Sequence, residues 1–375
     1  MQQLIDFGPL LEVLVKNIDI LPACGGAIEL LEQPDEQKKF EETIGDKEDH
    51  IINAFAETEK PNFLYKKLLP IQRTQDHFFR YFIDGTVQTY VLGTGLEHDR
   101  TFPIVMAQIG AAALKRENDG SLHQRFTRTA LMLLIPFNML SESLIKLVFQ
   151  SVDQSKCNIQ IIDTTEKDDD LGGVDESTDL TNRATGIAKG KMRAIERELA
   201  YKTAESSDGW LIIDGTIRSG SYSWGQGVPK TTVAVAKSFS EKPVFNVFKE
   251  DREIRNLPRL LANLGSESRT PAFFTSKGKV AFWYLRLREQ GQVDYPLMGV
   301  IKIEIPTPKP NEHVATNVID HISSCLLGER TVSPYGLDTR WHAHLYPIYS
   351  TEQYIKSQLF SREILKGMIK WPQRS

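Results

Sequence analysis

The stretch GWLIIDGTI at residues 209–217 is a continuous apolar run that ends in an acid, a glycine and a threonine. A run of that length without alternation suits a strand buried on both faces, so the chain must cover a sheet from two sides. The same ending occurs a second time, as FIDGT at residues 82–86. Each copy reads as a buried strand that delivers an aspartate to a turn. Glycine after the acid permits a sharp turn and the close approach of another backbone. Asp-Gly after a strand is also an ordinary hairpin turn, so the repeat alone does not separate a site from two turns. If Asp84 and Asp214 do meet, a shared cation is the chemical reason for it.

The rest of the pattern supplies the cover. Aromatic and β-branched residues from His77 onward predict strands over 78–83, 87–92 and 102–109, joined as an antiparallel meander with Asp84 at the first turn. Further strands are expected at TTVAVAKSF, KVAFWYLRL and YPLMGVIKIEI. Between the two copies lies a long helix opened by Ser/Thr/Asp capping chemistry, with Ile187, Met192, Ile195 and Leu199 as its apolar stripe. SESLIKLVFQSV, NLPRLLANLG, EHVATNVIDHISSCLL and the last segment after WHAHLYP add helices. Residues 1–75 read as an N-terminal helical region and 76–375 as the main domain. The fold class is α/β, a mixed sheet flanked by helices.

Composition narrows the partners. The 375 residues carry a net charge of -4, with 41% hydrophobic and 25% charged side chains, as in an ordinary globular protein. Nothing in the global charge points to nucleic acid, although a local basic groove does not need it. Cys24, Cys157 and Cys325 show no zinc spacing and suit buried thiols in a reducing compartment. The opening MQQLIDFGPLLEVL holds an acid and lacks a basic start, so no secretory leader is expected, and no apolar run reaches membrane length. A cytoplasmic protein is the expectation.

Three chemistries use a strand-terminal Asp-Gly-Thr. Haloacid-dehalogenase phosphotransferases need a nucleophilic aspartate two residues earlier, where this chain has Phe82 and Ile212. Actin-like ATPases separate the Asp from the Gly, which are adjacent here, and GSYSWGQG at residues 220–227 is a weak nucleotide loop. Ribonuclease-H-like nucleases hold divalent ions on strand-end aspartates and a helix glutamate, hard oxygen ligands suited to Mg²⁺ or Mn²⁺. Glu196 and Glu198, 18 and 16 residues before Asp214, are the glutamates available. From the 3.6-residue period Glu196 lies about 65° from the centre of the apolar stripe and Glu198 about 95°. Glu196 is therefore the better aimed, and Glu198 is the alternative, with helix pairing to Arg193, Arg197 or Lys202 as its other role. Lys189, Lys191, Arg193 and Arg197 on the same helix, and Arg218 after the second copy, are candidates for phosphate contact or simply a solvated basic face.

In order along the chain, YFIDGT, MRAIERELA, LIIDGTI, VAVAKSFS, FWYLRL and LYPIYSTEQY resemble the motifs of NurA nucleases. The likeness runs from about residue 78 to residue 359. It implies a ribonuclease-H-like fold, dependence on Mn²⁺ or Mg²⁺, degradation of single- and double-stranded DNA, a homodimer, and work with HerA, a hexameric ATP-driven DNA translocase, in end processing or defence. On this resemblance Asp84, Glu196 (or Glu198) and Asp214 are the metal ligands. Lys237, with Lys230 as competitor, is the lysine at the phosphate; Arg286 contacts the DNA backbone; Tyr346 is the C-terminal catalytic tyrosine. The family's histidine eight residues after that tyrosine is Tyr354 here, which cannot serve as imidazole does, and His342 and His344 are the nearby histidines. That departure raises a second possibility, a HerA-binding subunit with an impaired centre. An actin-like ATPase is the third.

Overall fold

The computed structural model describes residues 6–23, 29–30, 51–71, 77–155, 158–165, 179–205, 208–217, 227–248, 256–275, 277–291, 297–331 and 341–372. One mixed sheet organises them. Its centre is a meander of three long strands, β1 (Phe79–Glu97), β2 (Arg100–Arg116) and β3 (Leu122–Ile135), each antiparallel to the next. A short strand β4 (Ile159–Asp163) runs parallel to β3 at one side. On the other side β5 (Trp210–Asp214) lies parallel to β1, and β6 (Thr232–Ala236) parallel to β5. Beyond them come β8 (Val300–Pro306) and β7 (Val280–Arg286), both antiparallel to their inner neighbours, and two short pairings at Ser268–Arg269 and Lys66–Lys67.

Helices cover both faces. α3 (Leu180–Glu205) packs Ile187, Ala188, Ile195 and Leu199 against Ile83, Ala111, Ala113 and Ile213. Small residues on β2 bring this helix close to the sheet. On the opposite face α5 (Thr316–Glu329) and α6 (Tyr346–Ser357) set Ile319, Ile322, Leu326 and Ile348 over Phe82, Ile212, Val233, Val235 and Ile303. The β5 run is thus buried on both sides, as its lack of alternation requires. α1 (Gly8–Asn17), α2 (Glu142–Ser155) and α7 (Arg362–Met368) join a separate cluster with Tyr90, Phe102, Ile104 and Leu133. The remaining helix, α4 (Leu257–Ala262), starts at Asn256, whose side chain accepts a bond from the Arg259 amide.

Two expectations change. The strands predicted over 78–83 and 87–92 are one strand, and no turn follows Asp84. Its partner β2 stays in register from Tyr81↔Lys115 to Glu97↔Arg100, with one irregularity between Val91 and Gly93. A mid-strand glycine costs stability but does not force a turn when both flanks favour β structure. Of residues 1–75, expected as a helical region, the described ones hold one helix, Gly8–Asn17, beside short strands, and the rest lie outside the described residues. Asp19–Pro22 and Glu29–Leu30 pair with the far half of β1, and Lys66–Lys67 closes the sheet edge. The acidic stretch at residues 32–50, expected as helix, and most of the loop around residues 166–178 lie outside the described residues.

Candidate active site

β5 ends where β1 continues. Ile83 is level with Ile213, so Asp84 and Asp214 follow side by side on adjacent parallel strands. Both acids alternate onto the face that carries Phe82 and Ile212. On the next strand Asp214 is level with Val235, and two residues later comes Lys237. The Lys237 ammonium sits 2.9 Å from Asp214 Oδ2, and its side chain is only 8% exposed. The two copies of the repeat therefore do meet.

Their glycines serve different purposes. Gly215 has φ +95, with nothing within 4 Å of an added Cβ, so it makes a true left-handed turn at the end of β5. Its amide donates to the Val235 carbonyl at 2.9 Å, which fixes the turn to β6. Two residues on, the Ile217 amide donates to the buried Glu304 carboxylate at 2.9 Å, itself paired with Lys302. Gly85 turns nothing. A Cβ there would collide with Met192 Sδ and lie 2.7 Å from Glu196 Oε1. It admits α3 to the strand and with it the glutamate.

Glu196 thus reaches the centre from the opposite helix layer and accepts a bond from the Gly85 backbone. Burial, joined by the Asp214 charge, pushes its carboxyl up to about 7 against the opposing pull of Arg193 and Arg197. Asp84 is almost wholly buried, and its Oδ1 accepts the Gly85 amide at 2.8 Å. Burial first, then the Asp214 charge, raises its pKa well above the ordinary carboxylate value. Lys237 moves the other way to a burial effect: desolvation would lower it, but Asp214 and Asp84 outweigh that and hold its charge. Glu198 turns outward to Arg128 and Lys202, the latter 2.7 Å away, and takes no part.

One participant is invisible to the motif reading. On α6 the positions Ile348, Thr351 and Ile355 face the sheet, with Ile355 seated on Gly110. Glu352, one turn after Ile348, belongs to that stripe, and its charge acts on both Asp84 and Lys237. It also pairs with Lys356 at 2.7 Å. A carboxylate between two buried apolar residues on a helix face is the sequence signal that could have found it.

Other expected residues stand elsewhere. Arg286 is buried and cannot meet DNA: its guanidinium donates to the Leu264 and Met298 carbonyls, each at 2.6 Å, and closes the α4 corner. Tyr346 is half exposed at the start of α6. Tyr354 accepts a long bond from Thr127 Oγ1 on β3, at 3.4 Å. His342 Nδ1 accepts the Gly299 amide at 2.8 Å, and His344 is buried with its carbonyl on the Thr331 amide, so both histidines are held in backbone contacts. Lys191 and Arg193 are half buried on α3, Lys230 is exposed before β6, and Arg218 lies outside the described residues.

In kind, the donors fit a hard divalent cation, being carboxylate oxygens crowded where their charges repel. In spacing, no three His, Cys, Asp or Glu side chains among the described residues stand together closely enough to hold an ion. The Lys237 ammonium already sits on Asp214, so an ion would have to share that carboxylate or displace the lysine. No protein-family model matches this chain, and no curated protein matches it.

Proposed function

We propose that this chain is a metal-dependent nuclease that hydrolyses phosphodiester bonds in DNA and acts with a HerA-type hexameric translocase, as its resemblance to NurA nucleases implies. The observation that carries the reading is the meeting of Asp84 and Asp214 beside the buried Lys237. The strand order supports it: a three-stranded antiparallel meander, then two strands parallel to its first member, is the arrangement of a ribonuclease-H-like sheet. On the resemblance Asp84, Asp214 and Glu196 are the ligands for Mn²⁺ or Mg²⁺, and they would have to draw closer than they stand here to hold it. When bound, such an ion polarises a phosphoryl oxygen and acidifies a water.

The chain's own groups do the rest. Lys237, kept charged by two acids, offsets negative charge that builds on the phosphate in the transition state. Glu196, near 7, exists in both protonation states around neutral pH and can hold or release a proton at its carboxyl. The Gly215 turn and the Glu304 anchor fix Asp214, so neither acid depends on a loose loop for its position. Asp84→Ala and Asp214→Ala should each abolish Mn²⁺-dependent cleavage of a labelled duplex, with the circular dichroism spectrum unchanged. Undiminished cleavage by the double alanine variant would rule this site out.

A second reading has its own support. Among the described residues no three acids converge, Lys237 neutralises Asp214, and Tyr354 is turned to Thr127. Those features suit a HerA-binding subunit whose centre no longer cuts. Plasmid degradation with Mn²⁺, with and without the translocase, separates the two: the impaired subunit binds the ring and leaves the plasmid whole in both. A homodimer is the assembly expected under either reading.

A further inference from the structure

The acid centre already holds a cation, and that cation is a side chain. Asp84, Asp214 and Lys237 come from three adjacent strands and lie on the face of Phe82, Ile212 and Val235. Lys237 Nζ is 2.9 Å from Asp214 Oδ2, and the lysine is almost wholly buried. The carboxylates suit a divalent ion in kind, yet no three of them among the described residues stand close enough to hold one. The lysine accounts for that spacing. One ammonium needs a single carboxylate beside it, with Asp84 near enough to help keep it charged. A dication has to draw in several oxygens at once.

A helix lies over the same face and brings a further acid. α6 sets Ile348 into the cluster that holds Phe82, and Ile355 against Gly110, the register partner of Thr86. Phe82 and Thr86 flank Asp84 on that face of β1, as Ile348 and Ile355 flank Glu352 on the inner side of α6. The two acids are thus brought level, and the charge of Glu352 reaches both Asp84 and Lys237. Glu352 is paired with Lys356, 2.7 Å away and exposed. An ion pair open to water holds its members weakly, so Glu352 can exchange Lys356 for another ammonium at little cost.

A divalent ion on Asp214 would face the Lys237 ammonium across one carboxylate. Like charges that close in a buried place repel strongly. The four-carbon stem of a lysine turns without moving the backbone. Asp84 would be engaged by the same ion, which leaves Glu352 as the acid that can take the ammonium. We infer that Lys237 is the resident cation of this centre, that a divalent ion enters by displacing it from Asp214, and that Glu352 receives it. The inference rests on the metal-dependent reading and adds to it how the site opens. The ion competes with a side chain, so the strength of the Lys237–Asp214 pair sets the affinity for metal.

Titration of the chelator-treated full chain with Mn²⁺ tests it, read by the electron paramagnetic resonance signal of the free ion. Lys237→Met should bind Mn²⁺ about tenfold more tightly, the worth of one hydrogen bond between charged groups. Lys237→Arg keeps the charge but grips Asp214 with two bonds, and should bind about threefold more weakly. That arm stands even where the methionine variant folds poorly. Glu352→Gln should weaken binding about threefold in the parent and change nothing in the Lys237→Met background, because it acts through the lysine. If both lysine variants bind Mn²⁺ as the parent does, the ion shares Asp214 with the lysine; the inference is wrong and the nuclease reading stands. An equal loss from Glu352→Gln in both backgrounds would overturn the second seat and make Glu352 a ligand of the ion. If neither the parent nor Lys237→Met binds Mn²⁺ at millimolar concentration, the metal-dependent reading fails and the inference falls with it.

Discussion

Two groups of buried charges among the described residues are built on opposite principles. In one, Arg269 donates to both oxygens of Glu57 at 2.9 and 3.0 Å and to Asp320 at 2.7 Å, while Lys66 reaches Asp320 at 2.6 Å. Glu57 takes a further bond from the Ala272 amide at 2.7 Å. Arg116 and Glu329 repeat the scheme with two bonds of 2.5 and 2.7 Å. Every charge there has its opposite, and the geometry is bidentate. In the other group Asp84, Asp214 and Glu352 act on a single buried lysine, and the Asp214 charge also reaches Glu196. The first arrangement fastens segments distant in sequence, residue 57 to 269 and 116 to 329. The second leaves acids facing acids, which destabilises the fold unless a cation or a proton relieves it. The balanced group ties the fold together, and the unbalanced one is where the proposed chemistry would act.

Substitutions separate the two groups, and the largest effect belongs to the balanced one. Arg269→Met leaves Glu57 buried without its partner and should cost about 3–5 kcal/mol. Urea unfolding measures this, and cleavage per folded molecule should not change. Asp84→Asn acts in reverse. It removes a carboxylate that burial and Asp214 disfavour, so the variant should be more stable than the parent at pH 8 by about 1 kcal/mol while losing all cleavage. A variant less stable than its parent would show that Asp84 is not strained.

A further effect depends on pH. The folded pKa of Glu196 is about 7, above the ordinary 4.5. Between these values the folded chain keeps a proton that the unfolded chain has lost, so stability falls as pH rises from 4.5 to 7 and is flat beyond. Glu196→Gln should remove that slope. Its melting temperature should exceed the parent's by about 2 °C at pH 8 and match it near pH 4. Equal differences at the two pH values would mean that Glu196 titrates as an ordinary surface acid.

How far these features could be read in advance varies by residue. Asp214 was legible because an unbroken apolar run bounded by glycines suits a two-sided strand, and Gly215 does supply its turn. Glu196 was separable from Glu198 because the helical period alone sets which of them borders the buried stripe. The role of Gly85 was not legible, since a glycine that ends a strand and one that admits a helix look alike in a string of letters. Arg286 misled for a related reason: a strand arginine carries no local mark of the carbonyls that α4 and the turn before β8 bring to it.

Local periodicity thus decided which side chains share a face, because backbone geometry repeats every 2 or 3.6 residues whatever else surrounds it. Which faces come together was settled by packing between elements far apart in the chain. The crossing of α6 over Gly110 brings Glu352 toward the acids, and the parallel pairing of β5 with β1 sets Asp214 beside Asp84. No window of neighbouring residues contains either fact, since each is a relation between segments that meet only when the sheet closes.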